Sequence, residues 1–235
     1  MDEADGVVEV AFDEREARVL AAQGDLDALL HSAPPGGRPH ERQMMARHLR
    51  NRGIRVQGEQ VLIVSGASQG LAITAMSLLK AGDVLAVDAL SYPGMLALAR
   101  AQRLDVKALP LTAEGTDLDA LEKLCKRYPV RAVYSMPTMH NPLGFVMAEA
   151  DRSRLGELAR HYDFLIIEDA AYAFLADPAP KPIQAHAPDR TVYVSSMSKS
   201  IASGLRVGFV VAPLAWVSTL EQAVRTSTWQ ASSVP

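Results

Sequence analysis

Short runs of consecutive apolar residues alternate along most of the chain with segments in which apolar residues recur every three or four positions. The runs predict buried strands, and the periodic segments predict amphipathic helices. The predicted strands lie within 61–66, 83–92, 105–111, 130–137, 164–172, 191–199 and 206–213, and the predicted helices between them are 68–82, 94–104, 117–128 and 149–163. Strands that are apolar throughout are typical of a parallel sheet buried on both faces. We therefore expect an α/β protein, a three-layer α/β/α sandwich with a mostly parallel sheet.

The first 53 residues have a different pattern, polar and helical, without strand-like runs. Helices are predicted over 12–30 and 41–53, and the loop SAPPGGRPH separates them. Adjacent Pro and Gly residues make that loop a firm break, and Gly53 is a plausible end for the second helix. We therefore divide the chain into an N-terminal helical segment, 1–53, and a main domain, 54–235.

Composition and charge exclude several classes of function. The chain of 235 residues has a net charge of −3, which gives no basic surface for nucleic acid. The acidic first residues do not have the pattern expected of a signal peptide, and no apolar run reaches the roughly 18 residues of a membrane span. The single cysteine, Cys125, cannot form an internal disulfide, and the six scattered histidines form no metal-binding motif. We expect a cytoplasmic protein that binds no metal, membrane or nucleic acid.

Polar or glycine-bearing loops follow five of the predicted strands. Their sequences are SGASQG (65–70), LSYPG (90–94), PTMHNPLG (137–144), EDAAY (168–172) and SSMSK (195–199). In open α/β sheets ligands bind beyond the carboxyl ends of the strands, and all five loops belong to that edge. One shared site is therefore predicted there.

Two of these loops each allow two interpretations. Small residues at Gly66, Ala67 and Ser68 would let an anion approach the N–H groups of a helix N-terminus. Alternatively Ser65 or Ser68 is a plain N-cap. In the same way, Asp169 is either an ionised group of the site or a cap at the end of its strand. Glu168 points to the opposite side of that strand and should not share its role.

Lys199 is the sharpest single feature of the sequence. It comes after a buried apolar strand, where desolvation would be costly unless the amine is neutral or paired. A desolvated lysine amine is a nucleophile toward carbonyl groups. Arg206 adds a planar donor suited to phosphate, and Ser196 and Ser198 add hydroxyl donors. The alternative is a lysine at the rim that points to solvent.

Taken together, these segments resemble a known family. SMSKSIASGLRVG resembles the lysine motif of fold-type I pyridoxal-phosphate (PLP) enzymes, HNPLG their N-P-x-G turn and DAAY their D-x-x-Y strand end. GASQGL and SYPG resemble their phosphate and ring-stacking loops, and all five motifs occur in family order. The sequence most resembles class I/II aminotransferases of the aminoadipate/kynurenine type and the aminotransferase-like domain of MocR regulators, a branch of the GntR family.

The resemblance implies a role for each matching residue, with pyridoxal 5′-phosphate as cofactor. Lys199 would form a Schiff base with the cofactor and move the proton, and Asp169 would pair with the pyridine nitrogen. Asn141 and Tyr172 would hydrogen-bond the phenolic oxygen, and Tyr92 would stack on the ring. The phosphate would be held by Gly66, Ala67, Ser68, Gln69, Ser196, Ser198 and Arg206.

The implied function is transfer of an amino group between an amino acid and a 2-oxo acid, by a homodimer. Two alternatives stay open. The chain could be the sensing domain of a MocR-type transcriptional regulator, without its DNA-binding domain, or an inert remnant that binds no cofactor. We expect residues 54–235 to form the PLP-binding large domain. We also expect the chain to stop before the family's smaller C-terminal domain, because no residue matches the arginine that binds the substrate carboxylate.

Overall fold

The protein is described by a computed structural model covering residues 33–113, 115–201, 204 and 206–228. The helix predicted over 12–30 lies outside the described residues. The strands are β1 Val61–Val64, β2 Val84–Asp88, β3 Asp105–Leu109, β4 Leu111–Thr112, β5 Gly115–Thr116, β6 Val130–Ser135, β7 Leu165–Asp169, β8 Thr191–Ser196 and β9 Gly208–Val211. The α-helices are α1 Pro39–Arg50, α2 Ala67–Leu78, α3 Pro93–Ala101, α4 Leu118–Arg127, α5 Glu149–Tyr162, α6 Ile183–His186 and α7 Leu214–Ser227. Two 3₁₀ turns occupy Gly58–Gln60 and Ala173–Leu175.

Seven strands form one sheet in the order β1-β9-β8-β7-β6-β2-β3. All neighbours are parallel except β9, which is antiparallel to both β1 and β8. Every other strand of this sheet therefore runs in one direction, so their carboxyl ends meet at one edge. Strands β4 and β5 form a separate antiparallel pair. The prediction of a mostly parallel sheet is confirmed, and β9 is the strand that makes it mixed.

Helices cover both faces of the sheet, as predicted. On one face α2, α3 and α7 pack on residues such as Leu85 and Val87 of β2. On the other face α4 and α5 pack on Ala86 of β2 and Ile166 of β7. Helix α1 lies over the β1–β9–β8 end of that sheet and buries its apolar side there. The two apolar layers account for the unbroken apolar runs of the central strands.

Several predicted elements differ in their ends. The segment 83–92, predicted as a strand with a loop, is a strand up to Asp88, and the strand predicted to reach Lys199 stops at Ser196. Helix α2 ends at Leu78, not at Gly82, because Leu79 is extended. Strand β3 is at the sheet edge, and its residues alternate between half-buried and exposed up to Leu109, which is buried. Strands β2 and β8 are shorter than predicted because the polar residues after each apolar run belong to the following loop.

Strand β7 separates two adjacent carboxylates onto opposite faces, as its alternation predicted. Glu168 is buried and accepts hydrogen bonds from the backbone N–H groups of Ile183 (3.1 Å) and Gln184 (2.9 Å), at the start of α6. Burial raises the pKa of Glu168 to about 7, while these two bonds and the charge of Arg152 act in the opposite direction. Glu168 therefore belongs to the structural core behind the sheet edge.

The raised pKa of Glu168 predicts a pH dependence of stability. Between about pH 4.5 and 7 the folded chain holds a proton at Glu168 that the unfolded chain has released, so the free energy of unfolding falls as the pH rises. From pH 5 to pH 8 the wild type should lose on the order of 1–3 kcal/mol more than Glu168→Gln. Denaturant unfolding at both pH values measures this difference. Glu157→Gln, an exposed change on α5, should keep the wild-type slope; equal slopes for wild type and Glu168→Gln would contradict the assignment.

Candidate functional site

The carboxyl ends of β1, β2, β6, β7 and β8 surround a cavity of about 150 Å³. The residues that line it come from the ends of these five strands and the segments that follow them, and are Ala67, Ser68, Leu71, Tyr92, Met136, Asn141, Asp169, Ala171, Tyr172, Ser196, Ser198, Lys199 and Arg206. The structure thus brings together every residue predicted for the site except Gly66 and Gln69. The common direction of the strands, expected from their apolar pattern, makes this convergence possible.

Helix α2 points its N-terminus at one end of this cavity. Gly66 is the N-cap residue, with a φ of 86°, and no side chain caps the helix. The N-cap interpretation of Ser65 and Ser68 therefore does not hold. The first N–H groups of a helix without a side-chain cap, together with the helix dipole, favour an anion at that position.

Arg206 is held beside this helix end by close backbone packing. A Cβ at Gly208 would lie 2.6 Å from the carbonyl carbon of Gly66, so the two backbones touch. Arg206 itself has a left-handed φ of 51°, and its Nη2 is 3.4 Å from the Ser65 carbonyl oxygen. The guanidinium and the helix N-terminus thus bring two sources of positive potential to one end of the cavity.

Ser198 supplies a polar atom at the same cavity with no protein partner. Its Oγ is buried and forms no hydrogen bond with any described residue. A buried hydroxyl without a partner is costly, and a ligand oxygen would satisfy it.

The side chain of Gln69 lies outside the cavity, in contrast to its predicted contact with phosphate. Its Oε1 accepts a hydrogen bond from the Ser65 N–H (2.6 Å), and its Nε2 donates to Thr228 Oγ1 (2.6 Å) and Ser227 Oγ (3.2 Å). The amide joins the start of α2 to the end of α7. Gly66 also does not line the cavity, and it allows the turn and the close approach to Gly208.

Asp169 is buried at the base of the cavity, with both of its oxygens occupied. Tyr134 Oη donates to Oδ2 (2.8 Å) and the Ala171 N–H donates to Oδ1 (3.0 Å). The second bond makes Asp169 a cap for its turn as well as a cavity residue. Burial raises the pKa of Asp169, and these two hydrogen bonds oppose that rise. A cationic partner in the cavity would favour the ionised form.

Tyr134 is a residue that the sequence interpretation missed. Its ring is buried, and burial next to Asp169 raises the pKa of its hydroxyl well above the ordinary value, so it remains a donor. Tyr134 pairs with Ile167 in the β6–β7 register, which places it two residues from Asp169 along the sheet. Alternation in β6 predicts its face, but the contact requires knowing that β6 and β7 are neighbours.

Lys199 lines the cavity and is exposed, which agrees with the alternative of a lysine at the rim and not with a desolvated amine. Strand β8 ends at Ser196, so the lysine belongs to the turn after the strand and not to the strand itself. Its Nζ lies 5.9 Å from the centre of the Tyr172 ring. The amine is thus at the rim, accessible to a ligand that enters the cavity.

Tyr92 and Asn141 reach the cavity through two loops with tight backbone geometry. A Cβ at Gly94 would lie 2.3 Å from Cζ of Tyr92, so a larger residue at position 94 would displace the Tyr92 ring. Asn141 is close to the tip of the loop after β6, next to the buried His140. Three apolar lining residues, Leu71, Met136 and Ala171, were not predicted, because nothing separates them from core residues in the sequence.

The described part of the chain contains neither a group of three His, Cys, Asp or Glu side chains arranged for a metal ion nor a helix long and apolar enough to cross a membrane.

The family model for aminotransferase class I and II matches residues 7–235. The chain belongs to this family. Two relatives show its range. The HTH-type transcriptional regulator YjiR of Escherichia coli is 35% identical over 173 residues, which are 72% of this chain and 37% of that protein. The aromatic-amino-acid aminotransferase 1 of Thermococcus litoralis is 33% identical over 192 residues, which are 77% of this chain and 46% of that enzyme.

Solved structures of aminotransferases share the fold. The α-aminoadipate aminotransferase LysN of Thermus thermophilus, crystallised with N-(5′-phosphopyridoxyl)-L-leucine, superposes with a TM-score of 0.86 at 28% identity. The superposition covers 94% of this chain and 58% of LysN. The chain therefore spans about two fifths to three fifths of the length of these relatives.

The backbone contact between Gly208 and Gly66 predicts a sharp difference between two glycines of one motif. In Gly208→Ala the new methyl group would meet backbone atoms that cannot rotate away, so the free energy of unfolding should fall by about 1–3 kcal/mol. In Gly204→Ala the methyl group meets nothing within 4 Å, and the loss should be below about 1 kcal/mol. Denaturant unfolding of the two variants measures both values. Equal losses of unfolding free energy in the two variants would show that the contact between Gly208 and Gly66 does not restrict the residue at position 208.

Proposed function

We propose that this chain carries the cofactor site of a pyridoxal-phosphate-dependent aminotransferase, which transfers an amino group between an amino acid and a 2-oxo acid. One observation carries the proposal. A lysine amine, a buried carboxylate and an uncapped helix N-terminus with an arginine beside it meet in one cavity. Membership of the aminotransferase class I and II family supports it, as does the phosphopyridoxyl compound bound to LysN.

The residues present fit this cofactor at each of its chemical groups. The phosphate would take the end of the cavity with the α2 N-terminus, Arg206 and the unpartnered Ser198 Oγ. The pyridine nitrogen would face Asp169, whose buried carboxylate lacks a cationic partner among the described residues. Ser196 and Ser68 also line the cavity and supply further hydroxyl donors.

When bound, the cofactor supplies an electron sink for the carbon that loses its proton. The protein's own residues would bind, orient and move that proton. Lys199, exposed at the rim, would offer its amine to the cofactor and then act as general base and acid. Asp169 would keep the pyridine nitrogen protonated, Asn141 and Tyr172 would donate to the phenolic oxygen, and Tyr92 would stack on the ring.

The remaining parts of the proposal rest on the family. The substrates would be an amino acid and a 2-oxo acid, and the protein would act as a two-fold homodimer in the cytoplasm. Residues 54–235 would form the cofactor domain, with α1 of the preceding segment packed on the same sheet.

A second function is favoured by the similarity to YjiR. That relative is a transcriptional regulator, and it is as similar to this chain as the aminotransferases are. In this case the same cavity would hold the cofactor and sense an amino compound. The two functions differ in one measurable property: an enzyme exchanges the amino group through many turnovers, whereas a sensor holds its ligand.

The first test is the link between Lys199 and the cofactor. Pyridoxal phosphate added to the purified chain should produce the visible absorption band of an aldehyde condensed with a protein amine. Lys199→Ala should remove this band and keep the fold, because it deletes the only rim amine of the cavity among the described residues. Lys80→Ala, a change at an exposed lysine that does not line the cavity, should retain the band. A band of wild-type intensity in Lys199→Ala would show that Lys199 is not the amine that condenses with the cofactor.

A second test separates an enzyme from a sensor. A panel of amino acids is added to the loaded chain and the visible band is followed, with a 2-oxo acid added afterwards to restore it. Discharge and recovery of the band indicate an aminotransferase. A stable band with every amino acid, together with binding of an amino compound, favours the sensing function. A chain that forms no band with the cofactor is the inert remnant.

Asp169→Asn tests the carboxylate at the base of the cavity. The amide keeps the shape and can accept one of the two hydrogen bonds, from Tyr134 or from the Ala171 N–H, but it cannot pair with a cation, so the rate of amino-group exchange should fall on the order of 10²-fold. Tyr134→Phe, which leaves the carboxylate in place, should have a smaller effect. Stopped-flow absorbance of the loaded variants gives both rates. An unchanged rate in Asp169→Asn would contradict the pairing with the pyridine nitrogen.

A further inference from the structure

We propose that Arg152 of α5 is a positioning residue of this site, which fixes Asn141 by tying together both ends of the loop that carries it. The loop, residues 137–147, connects β6 to the start of α5. The action of Asn141 on a cofactor rests on the proposed function. The hydrogen bonds of Arg152 to Pro137, Thr138 and Met147, called the clamp below, do not depend on a cofactor.

Arg152 is fully buried, and its guanidinium donates to the two ends of this loop. Its Nη2 donates to the Pro137 carbonyl oxygen (2.7 Å) and to Thr138 Oγ1 (2.9 Å), at the beginning. Its Nε donates to the Met147 carbonyl oxygen (2.9 Å), at the end. A further bond, from Nη1 to the Lys181 carbonyl oxygen (3.4 Å), joins the clamp to the segment before α6.

The loop is closed on itself in layers above this clamp. The Met147 N–H donates to the Pro137 carbonyl oxygen (2.8 Å), and Thr138 forms an isolated bridge with Val146. Nearer the tip, the His140 N–H donates to the Phe145 carbonyl oxygen (3.0 Å). Asn141 follows directly and lines the cavity. A displacement of the loop ends would therefore be transmitted to Asn141 through these successive backbone contacts.

Apart from Arg152, the loop is attached to the sheet at His140, whose buried Nε2 lies 3.3 Å from Asp88 Oδ2 at the end of β2. Leu143 and Val146 are exposed, so the tip has few apolar contacts to anchor it. The stacking of the His140 ring on Phe145, with centres 4.4 Å apart, is internal to the loop and does not attach it to the sheet. The buried guanidinium is the main polar link from the loop ends to α5 that the described residues show.

The clamp requires arginine and not simply a positive charge. A guanidinium presents five donors in a rigid fork and can reach carbonyl groups on opposite sides, whereas a lysine ammonium is one point with three donors. Burial lowers the pKa of Arg152, and the charge of Glu168 opposes this effect, so the core behind β7 balances the buried cation. Lysine at this position would satisfy one end of the loop and leave the other without its donor.

The clamp is tested first without cofactor, by amide hydrogen exchange. In Arg152→Lys and Arg152→Met the amides of His140, Gly144 and Met147 should exchange about tenfold faster or more, because each loses the support of the clamp. The amides of Ile166 and Ala170, which hydrogen-bond within the sheet, should be unchanged. Arg154→Met, a change at a half-exposed arginine of the same helix that pairs with Asp119 and not with the loop, should leave the loop as in the wild type.

Two results would overturn the clamp. One is loop exchange at the wild-type rate, and the other is equal acceleration in the loop and the sheet, which would make Arg152 a general core residue. If the Arg152 variants do not fold, Thr138→Val removes a single acceptor of the clamp and should show the same localised acceleration. Wild-type exchange in Thr138→Val would then overturn the inference.

The link to Asn141 is tested with cofactor in a double-mutant cycle. Arg152→Lys should shift the pH midpoint of the visible band, and the shift should largely disappear in an Asn141→Ala background. A shift of equal size in both backgrounds, or no shift, would remove the link to Asn141. If the wild type forms no band, the proposed function fails and the exchange experiment still decides on the clamp. If the wild-type band forms and Arg152→Lys titrates identically, the inference fails and the function stands.

Discussion

The common direction of β1, β2, β6, β7 and β8 is the constraint on which the rest of this structure depends. Each of these strands ends at the same edge, and each is followed by a loop that contributes to the cavity. The strands are buried on both faces, so a shift in direction or register would expose apolar side chains. The hydrophobic effect that assembles the sheet therefore also assembles the site.

Two adjacent carboxylates on β7 show how one strand serves both the core and the cavity. Asp169 faces the cavity and is held by Tyr134 and the Ala171 N–H. Glu168 faces the other side, where it accepts hydrogen bonds from the start of α6 and interacts with the charge of Arg152. Arg152 in turn holds the loop of Asn141. Glu168 and Arg152, on one face of the sheet, are thus connected through backbone hydrogen bonds to the loop of Asn141, which lines the cavity.

The sequence was sufficient for the fold class and for most of the residues that gather at the cavity, because strand ends and family motifs are both local patterns. It was insufficient where a side chain acts across elements that are distant in the chain. Tyr134 reaches Asp169 only because β6 and β7 are neighbours, and Gln69 is drawn to the end of α7 instead of the cavity. The exposure of Lys199 depends on where β8 ends, and apolar periodicity defines such an end only within a few residues.

One measurement tests most directly whether this cavity is a lysine-dependent pyridoxal-phosphate site. The chain is incubated with pyridoxal phosphate, reduced with borohydride to make any amine link permanent, and digested, and the modified peptide is identified by mass spectrometry. A lysine-dependent site should yield one modified residue, Lys199, at a stoichiometry of one per chain. Modification spread over several exposed lysines, or absent from Lys199, would contradict it.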